Sequence, residues 1–121
     1  MDVDRRVEEV LALLEAEWRN KKRVADLAAT VNLGASRLTH LIRTHAKTSI
    51  RDLVRRRRLT EAARLLITTH RRVSEIGYDV GFTDACNFAH VFRREFGLSP
   101  RAYRERAWLL HEGMHHDQGE E

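Results

Sequence analysis

The sequence is poor in the residues that interrupt or staple a chain. Among its 121 residues there is a single cysteine, Cys86, so no internal disulfide can form and a reducing compartment, the cytoplasm, is the expected setting. The one proline, Pro100, leaves nearly the whole chain free to be helical. No apolar run approaches the roughly 20 residues that cross a bilayer, and the opening MDVDRR lacks the apolar stretch of a secretory signal, so no membrane partner is expected. A phosphate-binding glycine loop, paired acids and a nucleophile–base set are all missing from the pattern. Nothing in it asks for an enzyme, a cofactor or a metal.

What is present is charge and helix-forming residues. Charged residues make up 33% of the chain and apolar ones 42%, enough for one small helical domain. The formal charge of +4 understates the basic character, because residues 117–121 carry three acids and no base. The bases also cluster, at Lys21–Arg23, Arg55–Arg58, Arg71-Arg72, Arg93-Arg94 and then Arg101, Arg104 and Arg106. Such clusters suit polyanions, since each phosphate contact releases condensed counterions. A solvated helical surface would look the same by charge alone.

The chain also repeats itself. Val24, Leu27, Val31 and Leu33 lie 49 residues before Val73, Ile76, Val80 and Phe82. After the turn the offset becomes 50, and Leu38, Leu41, Ile42 and Arg43 match Phe88, Val91, Phe92 and Arg93. Ser49 matches Ser99, and Leu53 matches Tyr103. In each unit a short helix with apolar spacing i, i+3, i+4, i+7 leads to a tight turn and a second helix. The turns fall at Asn32 and Gly81, residue types that tolerate positive φ.

The second helix of each unit has an apolar stripe and an opposite polar face. In the first unit that face holds Ser36, Arg37, Thr39, His40 and Arg43; in the other, Ala85, Cys86, Ala89, His90, Arg93 and Arg94. Small residues near a helix start permit close approach to base edges, and arginines further along reach guanine or phosphate. The faces therefore fit helices lying in the major groove of duplex DNA. The matched pairs His40-x-x-Arg43 and His90-x-x-Arg93 set an imidazole where phosphate would favour its charged form, which predicts weaker binding as pH rises from about 6 to 8.

A long helix pattern joins the units, with Ser49 and Asp52 resembling a capping box. Its length of roughly 30 Å is close to one turn of B-DNA, roughly 34 Å, so one chain could reach successive major grooves as a monomer. Residues 4–18 form a leading amphipathic helix through Val7, Val10, Leu11, Leu14 and Trp18. Ser99 and Pro100 open a last helix that should pack through Tyr103, Ala107, Leu110 and Trp108. The expectation is all-α, with seven helices and no strand.

The stretch IGYDVGFTDACNFAHVFRREFGLSPRAYR, residues 76–104, together with Arg58-Leu59, Ala62 and Leu65-Leu66, resembles the DNA-binding domain of the AraC/XylS family of transcriptional regulators. The resemblance covers about residues 5–107. It implies two helix-turn-helix subdomains, about 24–47 and about 73–97, joined by a linker helix at about 49–68, in a domain of residues 1–110. Residues 111–121 then read as an acidic, flexible tail. By the same resemblance Ser36, Thr39 and His40, with Arg37 nearby, and Ala85, Cys86, Ala89 and His90 read bases. Arg43, Lys47, Arg93 and Arg94 are assigned to phosphate. The family's role as activators implies contact with RNA polymerase. Gly77 stands where the family usually has alanine, which should weaken its helix by up to about 1 kcal/mol. The small residues of the second reader make the first unit the principal one.

Two local features compete for other roles. His111-Glu112-Gly113-Met114-His115 matches H-E-x-x-H, but it contains a glycine and has no third ligand at a useful helical offset, so no metal site is expected. Cys86 at a helix start could act as a redox-sensitive thiol, though a small groove-facing side chain is the simpler reading. The alternative to a DNA reader is a helical protein-interaction module whose basic surface meets acidic partners. Sequence-selective binding to duplex DNA separates the two.

Overall fold

The computed structural model describes residues 2–18 and 24–119. They form seven helices: α1 (Asp2–Glu17), α2 (Val24–Thr30), α3 (Ala35–Ala46), α4 (Ile50–Thr68), α5 (Val73–Asp79), α6 (Ala85–Phe96) and α7 (Pro100–Gly119). Among the described residues there is no strand. None of these helices is long and apolar enough to cross a membrane. The chain divides into two compact units, residues 1–58 and 59–121, with the division inside α4.

The same local rules build each unit. α2 and α5 end in the same C-terminal motif, with Asn32 at φ 59° and Gly81 at φ 109°. Leu33 N–H then donates back to the Ala28 carbonyl at 2.8 Å, and Phe82 N–H to that of Gly77 at 2.9 Å. This six-to-one bond satisfies a carbonyl that the helix end would otherwise orphan. A second left-handed residue follows each reading helix, Lys47 at φ 57° and Gly97 at φ 79°. Ser49 Oγ accepts from Asp52 N–H at 3.1 Å and Ser99 Oγ from Ala102 N–H at 3.2 Å, so matched serines cap α4 and α7. The Asp52 carboxylate does not complete a capping box; it pairs with Arg55 at 2.6 Å.

In the first unit Val7, Val10, Leu27, Ala28, Val31, Leu38, Ile42 and Ile50 make an aliphatic core, with Leu11, Leu14, Leu53 and Val54 packed against it. Trp18 is buried as well, beneath the Arg57 guanidinium. In the second unit the stripe of α6 is aromatic. Phe82, Phe88, Phe92, Phe96 and Tyr103 form a chain of ring contacts with centroids 4.5 to 5.8 Å apart.

That chain of rings explains Gly77. A Cβ at this buried position would lie 2.7 Å from Phe88 Cδ2 and 2.9 Å from Cγ. The residue that weakens α5 by propensity is required by packing, because the Phe88 ring lies against its backbone.

One expectation for α7 changes. Tyr103 and Trp108 engage the second unit, but Leu110 is 63% exposed. It stands about two turns beyond Tyr103, some 10 Å along the axis, where α7 has outrun the rings it packs on. Residues 111–119 continue α7 as helix. No proline stops them, and Gly113 costs only about 1 kcal/mol within a helix.

Candidate nucleic-acid interface

In the first unit α3 presents Ser36, Arg37, Thr39, His40 and Arg43 on its exposed side, while Leu38, Leu41 and Ile42 are buried opposite. Gly34 gives α3 an extended N-cap with no side-chain bond. Thr39 Oγ1 donates to the Ala35 carbonyl at 2.9 Å. Its proton is therefore committed to its own helix, which leaves it an acceptor and a methyl group to offer outward. Lys47 is exposed at the helix end.

The second unit differs at its start. Asp84 caps α6, its Oδ1 accepting from Cys86 N–H at 2.7 Å and Asn87 N–H at 3.3 Å. Cys86, Asn87, His90, Arg93 and Arg94 are exposed. Ala85 and Ala89 are half-buried instead, and line a groove that also takes in the starts of α5 and α7. Asn87 is the residue that the reading of the sequence missed. It matches Arg37 at the offset of 50, and its amide can bond both edge groups of adenine.

The structure sorts the arginines that the charge count had pooled. Arg57 donates to Glu15 at 2.5 Å and covers the Trp18 ring. Arg55 pairs with Asp52, and Arg71 with Asp79 at 3.6 Å. Arg64 grips Glu61, and that hydrogen bond raises its pKa. Burial lowers the pKa of Arg58, whose Nε is enclosed without a partner. Arg104 closes the end of α4, donating to the carbonyls of Leu66 at 2.8 Å and Thr69 at 3.2 Å. Trp108 Nε1 takes the Ile67 carbonyl at 3.0 Å and Thr69 Oγ1 that of Leu65 at 2.7 Å. Arg104 is thus a helix cap rather than a surface base.

By contrast, among the described residues Arg37, Arg43, Lys47, Arg93 and Arg94 make no hydrogen bond or ion pair through their side chains. All five sit on or at the end of the two reading helices. Both reading helices therefore carry uncommitted cations on the sides that also hold the histidines.

The H-E-x-x-H match begins at an exposed His111, beside Ile67, His70 and Trp108. The side chains of His115 and His116 lie outside the described residues. Among those described, no group of three histidine, cysteine or acidic residues could hold a metal.

A family model described as a helix-turn-helix domain matches residues 27–106. The raffinose operon transcriptional regulatory protein of Pediococcus pentosaceus is 34% identical over 95 residues, covering 78% of this chain and 34% of that protein. The chain spans about a third of the length of curated relatives such as this one. A Chromobacterium violaceum regulator with an AraC-type DNA-binding domain superposes with a TM-score of 0.80 at 25% identity, covering 86% of this chain and 93% of that one. The DNA-binding domain of AdpA, solved with a target DNA, gives 0.74 at 27% identity, over 83% of this chain and 90% of its own. The chain belongs to the AraC/XylS family of helix-turn-helix, DNA-binding transcriptional regulators.

Proposed function

We propose that this domain binds duplex DNA at selected sequences by laying the exposed sides of α3 and α6 into major grooves. The observation that carries the reading is the pairing of two duplicated helices whose outer sides hold uncommitted cations while their inner sides hold the cores. In the first unit Ser36, Arg37, Thr39 and His40 read base edges, and Arg43 and Lys47 hold phosphate. In the second, Cys86, Asn87 and His90 face bases, with Arg93 and Arg94 on phosphate. The first unit is the principal reader, since its face holds more hydrogen-bonding side chains.

The two units are taken to occupy successive grooves of one duplex. That step rests on the repeat of about fifty residues within one chain, which lets a monomer supply two readers. A cytoplasmic location follows from DNA as the target, and contact with RNA polymerase from regulation in this family. Selection from random duplexes should return sites with two short conserved blocks about ten base pairs apart. Substituting bases one at a time should weaken binding more in the block under α3. Recovery of no preferred sequence would favour the basic protein-interaction module.

A further inference from the structure

The groove beside α6 has a composition that base reading does not explain. It holds about 770 Å³ between the starts of α5, α6 and α7. Arg72, immediately before α5, and Arg101, in the first turn of α7, both line it. Both are exposed, and among the described residues neither guanidinium makes a hydrogen bond or ion pair. Ser99 Oγ accepts the Ala102 N–H, so its own proton remains for another acceptor. Ser74 adds a second hydroxyl, and Ala85 and Ala89 leave the α6 side of the groove open. Glu105 is the acid among the lining residues, while Arg104 is held by the carbonyls that close α4.

Two unengaged guanidinium groups and two hydroxyls in one basin make a site for a tetrahedral anion. Its position selects which anion. On α6, Ala85 and Ala89 lie one residue from Cys86 and His90, so the groove borders the base-reading side directly. In a helix-turn-helix the first helix crosses the sugar-phosphate backbone as the second enters the groove, and α5 is that first helix here. Larger side chains at 85 and 89 would hold a strand off; alanines let it approach. The pattern also recurs, since Arg51 matches Arg101 at the offset of 50 and Arg23 matches Arg72 at 49. Arg51 is exposed.

We infer that this groove seats one backbone phosphate of the bound duplex between Arg72 and Arg101, and that Ala85 and Ala89 provide clearance for the strand. The inference rests on the DNA-binding reading above. It changes the role of the two alanines from weak readers of bases to spacers.

The test uses a duplex recovered by the selection, with Kd measured across a salt series for wild type, Arg72→Gln/Arg101→Gln and Arg64→Gln. Losing one phosphate contact should lower the slope of log Kd against log salt by about 0.9 and weaken binding about tenfold, with base preferences unchanged. Arg64→Gln, at a guanidinium already held by Glu61, should match wild type. Single methylphosphonate linkages scanned along the site should weaken wild type at one flanking position to which the double variant is indifferent. Ala89→Leu, which keeps both arginines, should weaken binding by filling the groove. Equal thermal midpoints confirm that the variants fold. An unchanged slope in the double variant, or undiminished sensitivity to that linkage, overturns the groove assignment alone. A wild-type chain that selects no duplex overturns the DNA reading itself.

Discussion

The first and second units solve one packing problem with different volumes. At matched positions the first has Ala28 and Leu38 in one core, with Ile42, Ala46 and Leu53 continuing the stripe. The second has Gly77 against Phe88, with Phe92, Phe96 and Tyr103. The larger ring is accommodated by deleting a methyl from the facing helix, so the duplicated turn geometry survives while its contents change. Interiors are packed too tightly for either partner to change alone. Residue-by-residue preference would rank glycine as a fault in α5. Pairing the two units shows it as half of an exchange.

The sharpest way to break this comparison is Gly77→Ala. It should lower stability by about 2 kcal/mol from overpacking, despite the helix propensity it gains, as measured by chemical denaturation. Adding Phe88→Leu rebuilds the first unit's pair, and the double variant should lose clearly less than the two single losses together. Simple additivity would show that the two positions do not compensate.

The helix starts differ by a charge. Asp84→Ala should cost about 1 kcal/mol through loss of the cap on α6, whereas Gly34→Asp in the first unit should gain only a few tenths. Urea midpoints would measure both, and a neutral Asp84→Ala would mean that the hydrogen bonds from Cys86 N–H and Asn87 N–H contribute nothing net.

The helix ends give the smallest effect. Lys47 adopts the left-handed conformation that Gly97 occupies in the second unit. Lys47→Gly should therefore stabilise by up to about 1 kcal/mol, and Gly97→Ala should cost a similar amount. A loss of stability in Lys47→Gly would point to packing by the lysine stem. The same variant should weaken DNA binding if Lys47 holds phosphate, so stability and affinity would move in opposite directions.

Much of the site was legible because its signals are local. Positive φ at Asn32 and Gly81, serine caps at 49 and 99, and the apolar stripes of α3 and α6 each depend on residues within a few positions of one another. The exposed sides followed from the stripes by helical period. Asn87 was within reach too, because the repeat that singled out Arg37 also marks its partner. Ala85 and Ala89 were not, since whether a small residue at the edge of a stripe meets solvent or a groove depends on the neighbouring helices.

By itself, then, the sequence determined seven helices, their turns and the duplication. Those features arise from backbone preferences and hydrogen bonds that close over one or two turns. Tertiary structure decided which cations remain for a ligand. Arg57 meets Glu15 across 42 residues, Arg104 meets Leu66 across 38, and Trp108 meets Ile67 across 41. Contacts of that span depend on how whole helices pack, and they turn arginines that look alike in the chain into caps, ion pairs or free groups. The same packing made glycine the fitting residue at position 77, by setting a phenylalanine ring against it.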